Sequence, residues 1–269
     1  MKFPLGVQLY SVRESFPSVK KYATLLKRIA DIGYKYVEPA GFFDIRPRDF
    51  RKVINDLGMD MVSSHSPWAR GLGNIGECMD IADEIGMKRI VCGYGPDDFK
   101  DLDAIKRTAE NTTEIYEVLE RNGYELFQHN HWFEFGRFDG RLAYDIYCDM
   151  IPKGVKFQLD CFWSTNYGTE DPVENLKKFG DRTILLHMKD GICRQQKAEG
   201  ETEYKAGLLD QPIDLLPLGR GTLPIPELIK ATPKHVEAII VELDYCSVEM
   251  WKALEESYNY MMELLRDDA

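Results

Sequence analysis

Thr183-Ile-Leu-Leu-His187 is a short apolar run that stops on an imidazole, and Ala238-Ile-Ile-Val-Glu242 is its counterpart ending on a carboxylate. Three further segments share the design: Met61-Val-Ser-Ser-His65, Glu125-Leu-Phe-Gln-His129-Asn-His131 and Val155-Lys-Phe-Gln-Leu-Asp160. Four of the five histidines sit at these ends, so the polar residues are tied to the strand pattern rather than scattered over the chain. Short apolar runs bounded by turn residues read as buried strands. When parallel strands lie side by side, the residues at their carboxyl ends share one rim, where α/β proteins place their chemistry.

Working outward, strand-like runs begin near Leu5, Lys35, Met59, Arg89, Tyr124, Val155, Thr183 and Ala238, and amphipathic helical sequence follows each of the first seven. Apolar residues recur at helical spacing from Val19 to Ile32, from Ile75 to Ile85, from Leu102 to Leu119 and from Val248 to Leu265. The first three close on Gly33, Gly86 and Asn122-Gly123, as helices that end on a left-handed residue do. Eight strand–helix repeats predict an α/β fold, a single (β/α)8 TIM barrel occupying residues 1–269. The interval between His187 and Glu242 is overlong. Its excess is the polar stretch of about 191–221, read as a lid or insertion loop on the rim.

Composition narrows the function. A formal net charge of -11 argues against binding to nucleic acid phosphates or anionic membrane surfaces. No basic stretch leads into an apolar segment at the amino terminus, and no 18-residue apolar run occurs. The six cysteines form no CxxC pair and read as reduced thiols, which points to the cytoplasm. Cys161 adjoins Asp160 but is a weak candidate nucleophile. A small-molecule ligand is expected, with no nucleic acid and no membrane partner; a homo-oligomer is compatible.

Asp160, His187 and Glu242 end three consecutive predicted strands, so all three can face one point. Carboxylate and imidazole from separate segments are what a divalent ion requires. Each alone has a plainer structural use: a loop cap, an ion pair, a buried hydrogen-bonded histidine. Their coincidence on adjacent strands favours a shared ion. A fourth ligand is expected from the preceding strand, which runs into His129-Asn130-His131-Trp132-Phe133-Glu134.

Six stretches carry a resemblance: Gly6-Val-Gln-Leu-Tyr-Ser-Val-Arg13, Gly33-Tyr-Lys-Tyr-Val-Glu38-Pro, His129-Asn-His-Trp-Phe-Glu134-Phe, Leu159-Asp160-Cys-Phe-Trp163, Leu186-His187-Met-Lys-Asp190 and Val241-Glu242. In this order, over nearly the whole chain, they resemble the sugar phosphate isomerase/epimerase family of xylose isomerase-like TIM barrels. The resemblance implies one divalent metal ion (Mn, Co, Mg or Zn) held by Glu134, Asp160, His187 and Glu242. At the fourth position relatives carry a strand-five glutamate where this chain has His129-Asn-His131, so Glu134 is the favoured ligand and His131 a ligand or base.

The implied chemistry is enolisation beside a carbonyl: a metal-dependent isomerase or epimerase acting on a ketose, keto-sugar or inosose through an ene-diolate. Expulsion of a β-substituent instead gives a lyase or dehydratase acting on an inosose or 3-keto-glycoside. A sugar-binding barrel without catalysis is the non-enzymatic alternative. Glu134, Glu242 and His131 are the candidate proton-transfer groups, and Lys189 is placed to stabilise oxyanion charge. Substrate contacts are expected from Gln8, Glu38, His65, Trp68, Trp132 and Trp163, whose flat faces suit sugar C–H surfaces. Arg220, between Gly219 and Gly221, is a candidate phosphate contact because barrels often bind phosphate after strand seven.

Overall fold

The computed structural model describes residues 3–15, 19–42, 45–193 and 213–267. Eight parallel strands form one curled sheet: β1 Leu5–Gln8, β2 Tyr36–Glu38, β3 Asp60–Met61, β4 Arg89–Cys92, β5 Glu125–His129, β6 Lys156–Asp160, β7 Thr183–Met188 and β8 Ala238–Val241. Hydrogen-bonded neighbours run β3-β2-β1-β8-β7-β6-β5-β4. The remaining seam, between β3 and β4, is bridged where Ala69 N donates to Val91 O at 2.8 Å. Around the sheet lie α1 Val19–Ile32, α2 Pro47–Asp56, α3 Ile75–Glu84, α4 Leu102–Arg121, α5 Ala143–Met150, α6 Pro172–Phe179, α7 Ile225–Ala231 and α8 Met250–Asp267. The fold is the expected TIM barrel.

Two apolar regions follow from this closure. The larger packs the helices on the outer face of the sheet, with Leu26, Ile54, Ile105, Leu119, Leu228 and Leu254 fully buried. The smaller fills the barrel interior with Val91, Phe127, Ile184, Leu185, Ala238 and Ile240. Val62 and Trp68 pack on top of this plug, so it is the floor on which the polar residues of the rim stand. Trp68 lies flat enough against β4 that a Cβ on Gly93 would fall 1.9 Å from its ring, which requires glycine there.

Register decides which side chains meet. Phe157 pairs with Thr183 but Gln158 pairs with Leu185, so β7 carries one extra residue opposite β6. Without that irregularity Asp160 would face Leu186. With it, Asp160 pairs with His187, and the two side chains emerge on the same side. Ile240 pairs with His187, which puts Glu242, two residues on, on that side as well. His129 pairs with Gln158, and Gln8 with Glu38.

After β7 the chain forms an antiparallel ribbon, Asp190–Cys193 against Ile213–Leu216. The middle of the expected lid, 194–212, lies outside the described residues. At the ribbon's base the Asp190 carboxylate accepts four backbone N–H groups: Gly191 and Leu223 on Oδ1, at 2.8 and 3.0 Å, and Gly219 and Gly221 on Oδ2, both at 2.9 Å. The loop amides that a phosphate would need are consumed internally. Asp190→Asn offers these donors one oxygen and one NH2 group. The variant is expected to lose about 2–3 kcal/mol of unfolding free energy, read from its urea midpoint, because buried donors are left without acceptors. An unchanged midpoint would show that the cradle does not hold the ribbon.

Candidate functional site

The strand ends converge as the register dictates. His129, Asp160, His187 and Glu242 each offer a ligand atom, and these atoms all lie within 4.8 Å of one another; His65, His129 and His187 form a second such group. All five residues are buried. Above them opens a cavity of about 180 Å³ lined by Tyr10, Ala40, His65, Trp68, His129, His131, Lys189, Glu242 and Asp244. That is below the range of drug-sized pockets, about 300–1,000 Å³.

Backbone clamps hold the acids in place. Asn130 Oδ1 accepts from Asp160 N at 2.9 Å, tying β5 to β6, and Asp160 Oδ1 accepts from Trp163 N at 2.8 Å. Asp160 Oδ2 accepts no hydrogen bond among the described residues; Lys189 Nζ lies 2.9 Å from it, but off the line of a hydrogen bond. Lys189 itself is 1 % exposed, with Glu242 Oε2 at 2.5 Å and Asp244 Oδ2 at 3.2 Å. Burial opposes its charge, but Asp160, Asp244 and Glu242 outweigh it and hold the ammonium well above its usual pKa. Desolvation raises Asp160, whereas in Glu242 the desolvation is overcome by Lys189 and His187, and its pKa falls.

Glu38 lies beneath, fully buried. Its Oε2 accepts from Gln8 Nε2 at 2.7 Å and faces His187 Nε2 at 2.5 Å; its Oε1 accepts from Gln158 Nε2 at 2.6 Å and from the Ser63 hydroxyl. Desolvation works against its charge, yet the neighbouring His65 and His187 bring its pKa down to about 2. His187 sits between Glu38 and Glu242, the latter 2.8 Å from Nδ1. Burial disfavours its charge, and the two carboxylates override that, carrying the pKa up to about 10. The other imidazoles go the opposite way: burial lowers His65 and His129, and burial with the Lys189 charge lowers His131 to about 4. His131 is therefore neutral at pH 7. Its ring stacks on Phe133 (centroids 5.4 Å, 18° apart), and Nδ1 has no partner among the described residues.

The residues expected from sequence divide into groups. Asp160, His187, Glu242, Lys189, His131, His65 and Trp68 come together at the cavity and its floor. Glu38 and Gln8 lie under the site as its scaffold and are absent from the cavity lining. Trp132 and Trp163 pack on each other and on Tyr167, centroids 5.1 to 6.3 Å apart; neither lines the cavity, but Trp163 lies 5.7 Å from Lys189 Nζ and Trp132 is edge-on to His131 at 6.2 Å. Arg220 turns outward to Glu256 at 3.0 Å. Glu134 stands apart from the converging ligand atoms. The 3-10 turn Phe133–Phe135 folds its side chain back so that Oε2 accepts from His131 N at 2.9 Å, and Gln128 Nε2 reaches Oε1 at 3.3 Å. His129 stands in the ligand group instead. Gln158, Asp244 and Tyr10 went unread. The first two lie two residues before Asp160 and after Glu242, so strand alternation was the available signal.

The donor set fits a divalent ion. Two carboxylates and two imidazoles converge, Asp160 Oδ2 accepts no hydrogen bond among the described residues, and among those residues the cations facing Glu38, Asp160, Glu242 and Asp244 are Lys189 and His187.

The family model of the xylose isomerase-like TIM barrel matches residues 26–267. The chain belongs to that family. Among solved structures, a sugar phosphate isomerase/epimerase from Parabacteroides distasonis is 21% identical with a TM-score of 0.71, over 97% of this chain and 94% of that one. A probable 3-DHS dehydratase from Bacillus anthracis is 12% identical, TM-score 0.70, over 97% and 99%. A xylose isomerase-like protein from Mycobacterium smegmatis, solved in complex with magnesium, is 15% identical, TM-score 0.66, over 98% and 97%. No curated protein sequence matches the chain. At these identities the structural likenesses speak for the fold. No helix of the described residues is long and apolar enough to cross a membrane.

Burial raises the Glu134 pKa to about 8 from its ordinary 4.5. A group whose pKa is higher in the folded state stabilises the fold below its unfolded value and loses that contribution as pH rises through the folded one. Wild-type stability is therefore expected to fall by several kcal/mol, relative to Glu134→Gln, between pH 4.5 and about 8. Urea denaturation of both proteins across this window checks it. Parallel stability curves would contradict a protonated Glu134.

Proposed function

We propose that this barrel is a divalent-metal-dependent isomerase or epimerase acting on a small ketose, keto-sugar or inosose by moving a proton beside a carbonyl. The observation that carries the reading is the convergence of His129, Asp160, His187 and Glu242 at the base of a cavity lined by a neutral His131. When bound, a divalent ion supplies Lewis acidity to the substrate's carbonyl and adjacent hydroxyl.

The rest falls to the chain. His131, held by stacking on Phe133 and lining the cavity, takes the proton from the carbon between the two oxygens. The Lys189 ammonium faces the charge that develops on oxygen, a fixed donor needing no reorganisation. Trp68 and Tyr10 wall the cavity and hold off water, and the Tyr10 ring is backed by the Arg13 guanidinium 3.9 Å from its centroid. Return of the proton to the opposite face epimerises the substrate; return to the neighbouring carbon interconverts aldose and ketose. A structural neighbour named as a dehydratase favours a second outcome, in which the same abstraction expels a β-substituent.

Incubation with keto-sugars and inososes in deuterated water, followed by NMR, tests the proposal. Wild-type protein is expected to incorporate deuterium beside the carbonyl. His131→Gln should slow this by about 10²–10⁴-fold, the usual contribution of a general base, with metal content unchanged. Asp160→Ala should lose both the ion and the exchange. Metal-loaded protein that exchanges no substrate would leave a binding barrel, and product lacking water or an aglycone would make the enzyme a lyase.

A further inference from the structure

The ligand group contains more imidazole than the family resemblance implies, and the imidazoles share one device that orders them. Ring centroids of His65, His129 and His187 lie 4.8, 4.7 and 5.2 Å apart, a near-equilateral triangle. Gln158 reaches into it from β6. Its Nε2 donates to Glu38 Oε1 at 2.6 Å, and a carboxylate accepts only, so the amide's orientation is set. Its Oε1 then faces His65 Nε2 at 2.6 Å and His129 Nδ1 at 3.0 Å. An amide oxygen can only accept, so both rings donate to it. Their other nitrogens, His65 Nδ1 and His129 Nε2, keep lone pairs. His187 is held by carboxylates at both nitrogens, with Nε2–H on Glu38 and Nδ1–H on Glu242. One buried carboxylate thus fixes the tautomers of His65 and His129 through Gln158 and holds the His187 ring directly, in the manner of the outer partners of metal-bound histidines.

Building on the metal-dependent reading above, we infer that the resident ion is an imidazole-preferring one of the cobalt–zinc class rather than magnesium. His129 and His187 would supply nitrogen, the latter on giving up the proton it shares with Glu242, and Asp160 and Glu242 would supply oxygen; His65 groups with the two imidazoles and not with the two carboxylates. Glu38 and Gln158 are positioning residues for this ion and do not touch substrate. Nitrogen donors discriminate against magnesium, which is hard, demands oxygen and holds its waters, whereas cobalt and zinc accept mixed imidazole and carboxylate sets. A carboxylate at residue 129 would remove that bias. The magnesium-bound relative, 15% identical, is thus not expected to predict the metal of this chain.

The test is metal binding itself, independent of turnover. Full-length protein, stripped with chelator and dialysed, is titrated with Co²⁺, Zn²⁺ and Mg²⁺ by calorimetry, and the visible absorption of the Co²⁺ form is recorded. Wild type is expected to bind Co²⁺ and Zn²⁺ and to keep its cobalt spectrum in a large excess of Mg²⁺. His129→Glu should cut the preference for Co²⁺ over Mg²⁺ by about 10–100-fold and change the cobalt spectrum. His129→Gln, closer in size and uncharged, should weaken Co²⁺ by about 10–100-fold, with circular dichroism melting curves confirming that both variants fold. Equal affinity for Mg²⁺ and Co²⁺ in wild type, or a preference unmoved by His129→Glu, overturns the inference and leaves the metal-dependent reading intact. Binding of none of the three ions overturns both.

Discussion

Glu38 is the residue on which the interior depends. A carboxylate on the axis of a barrel, wholly out of water, persists only where its lone pairs are taken by strong donors. Here both oxygens are used, by Gln8 from β1, Ser63 from the segment after β3, Gln158 from β6 and His187 from β7. These donors come from opposite sides of the sheet, so a single buried charge ties the barrel across its centre. It also turns the rings above it. The functional site is in this sense the upper half of a polar core whose lower half is Glu38 and its donors.

Charge balance explains the upper half. Lys189 and His187 face Glu38, Asp160, Glu242 and Asp244, so negative charge exceeds positive at the base of the cavity. Buried carboxylates in excess of cations are costly unless they are protonated or bind an ion. Desolvation accordingly lifts Asp160 and Asp244, while Glu242, paired to both cations, stays ionised. The same arrangement leaves Lys189 lining the cavity as a fixed cation, with His131, kept neutral by burial and by that cation, lining it as well.

Much of this could be read from the chain because barrel architecture writes itself into strand–helix rhythm and strand-end residues. All eight barrel strands fall within or beside the predicted runs, and Asp160, His187 and Glu242 were marked by their places at strand ends. What could not be read depended on local turns and on pairing. Glu134 was set aside by a 3-10 turn after β5 that folds it onto the His131 amide, leaving His129 among the ligand atoms. The meeting of Asp160 with His187 rests on one extra residue in β7, which no periodicity shows. Arg220 looked like a phosphate contact because the Asp190 cradle that uses up the neighbouring amides is a three-dimensional fact.

The central claim is that the strand-end residues hold one divalent ion with His129, not Glu134, as the fourth ligand. A crystal structure of the cobalt-loaded protein, with diffraction collected at the cobalt absorption edge, tests it most directly. The account predicts a single anomalous peak within bonding distance, about 2.0–2.2 Å, of His129, Asp160, His187 and Glu242. A peak bonded to Glu134, or none between these four residues, would contradict it.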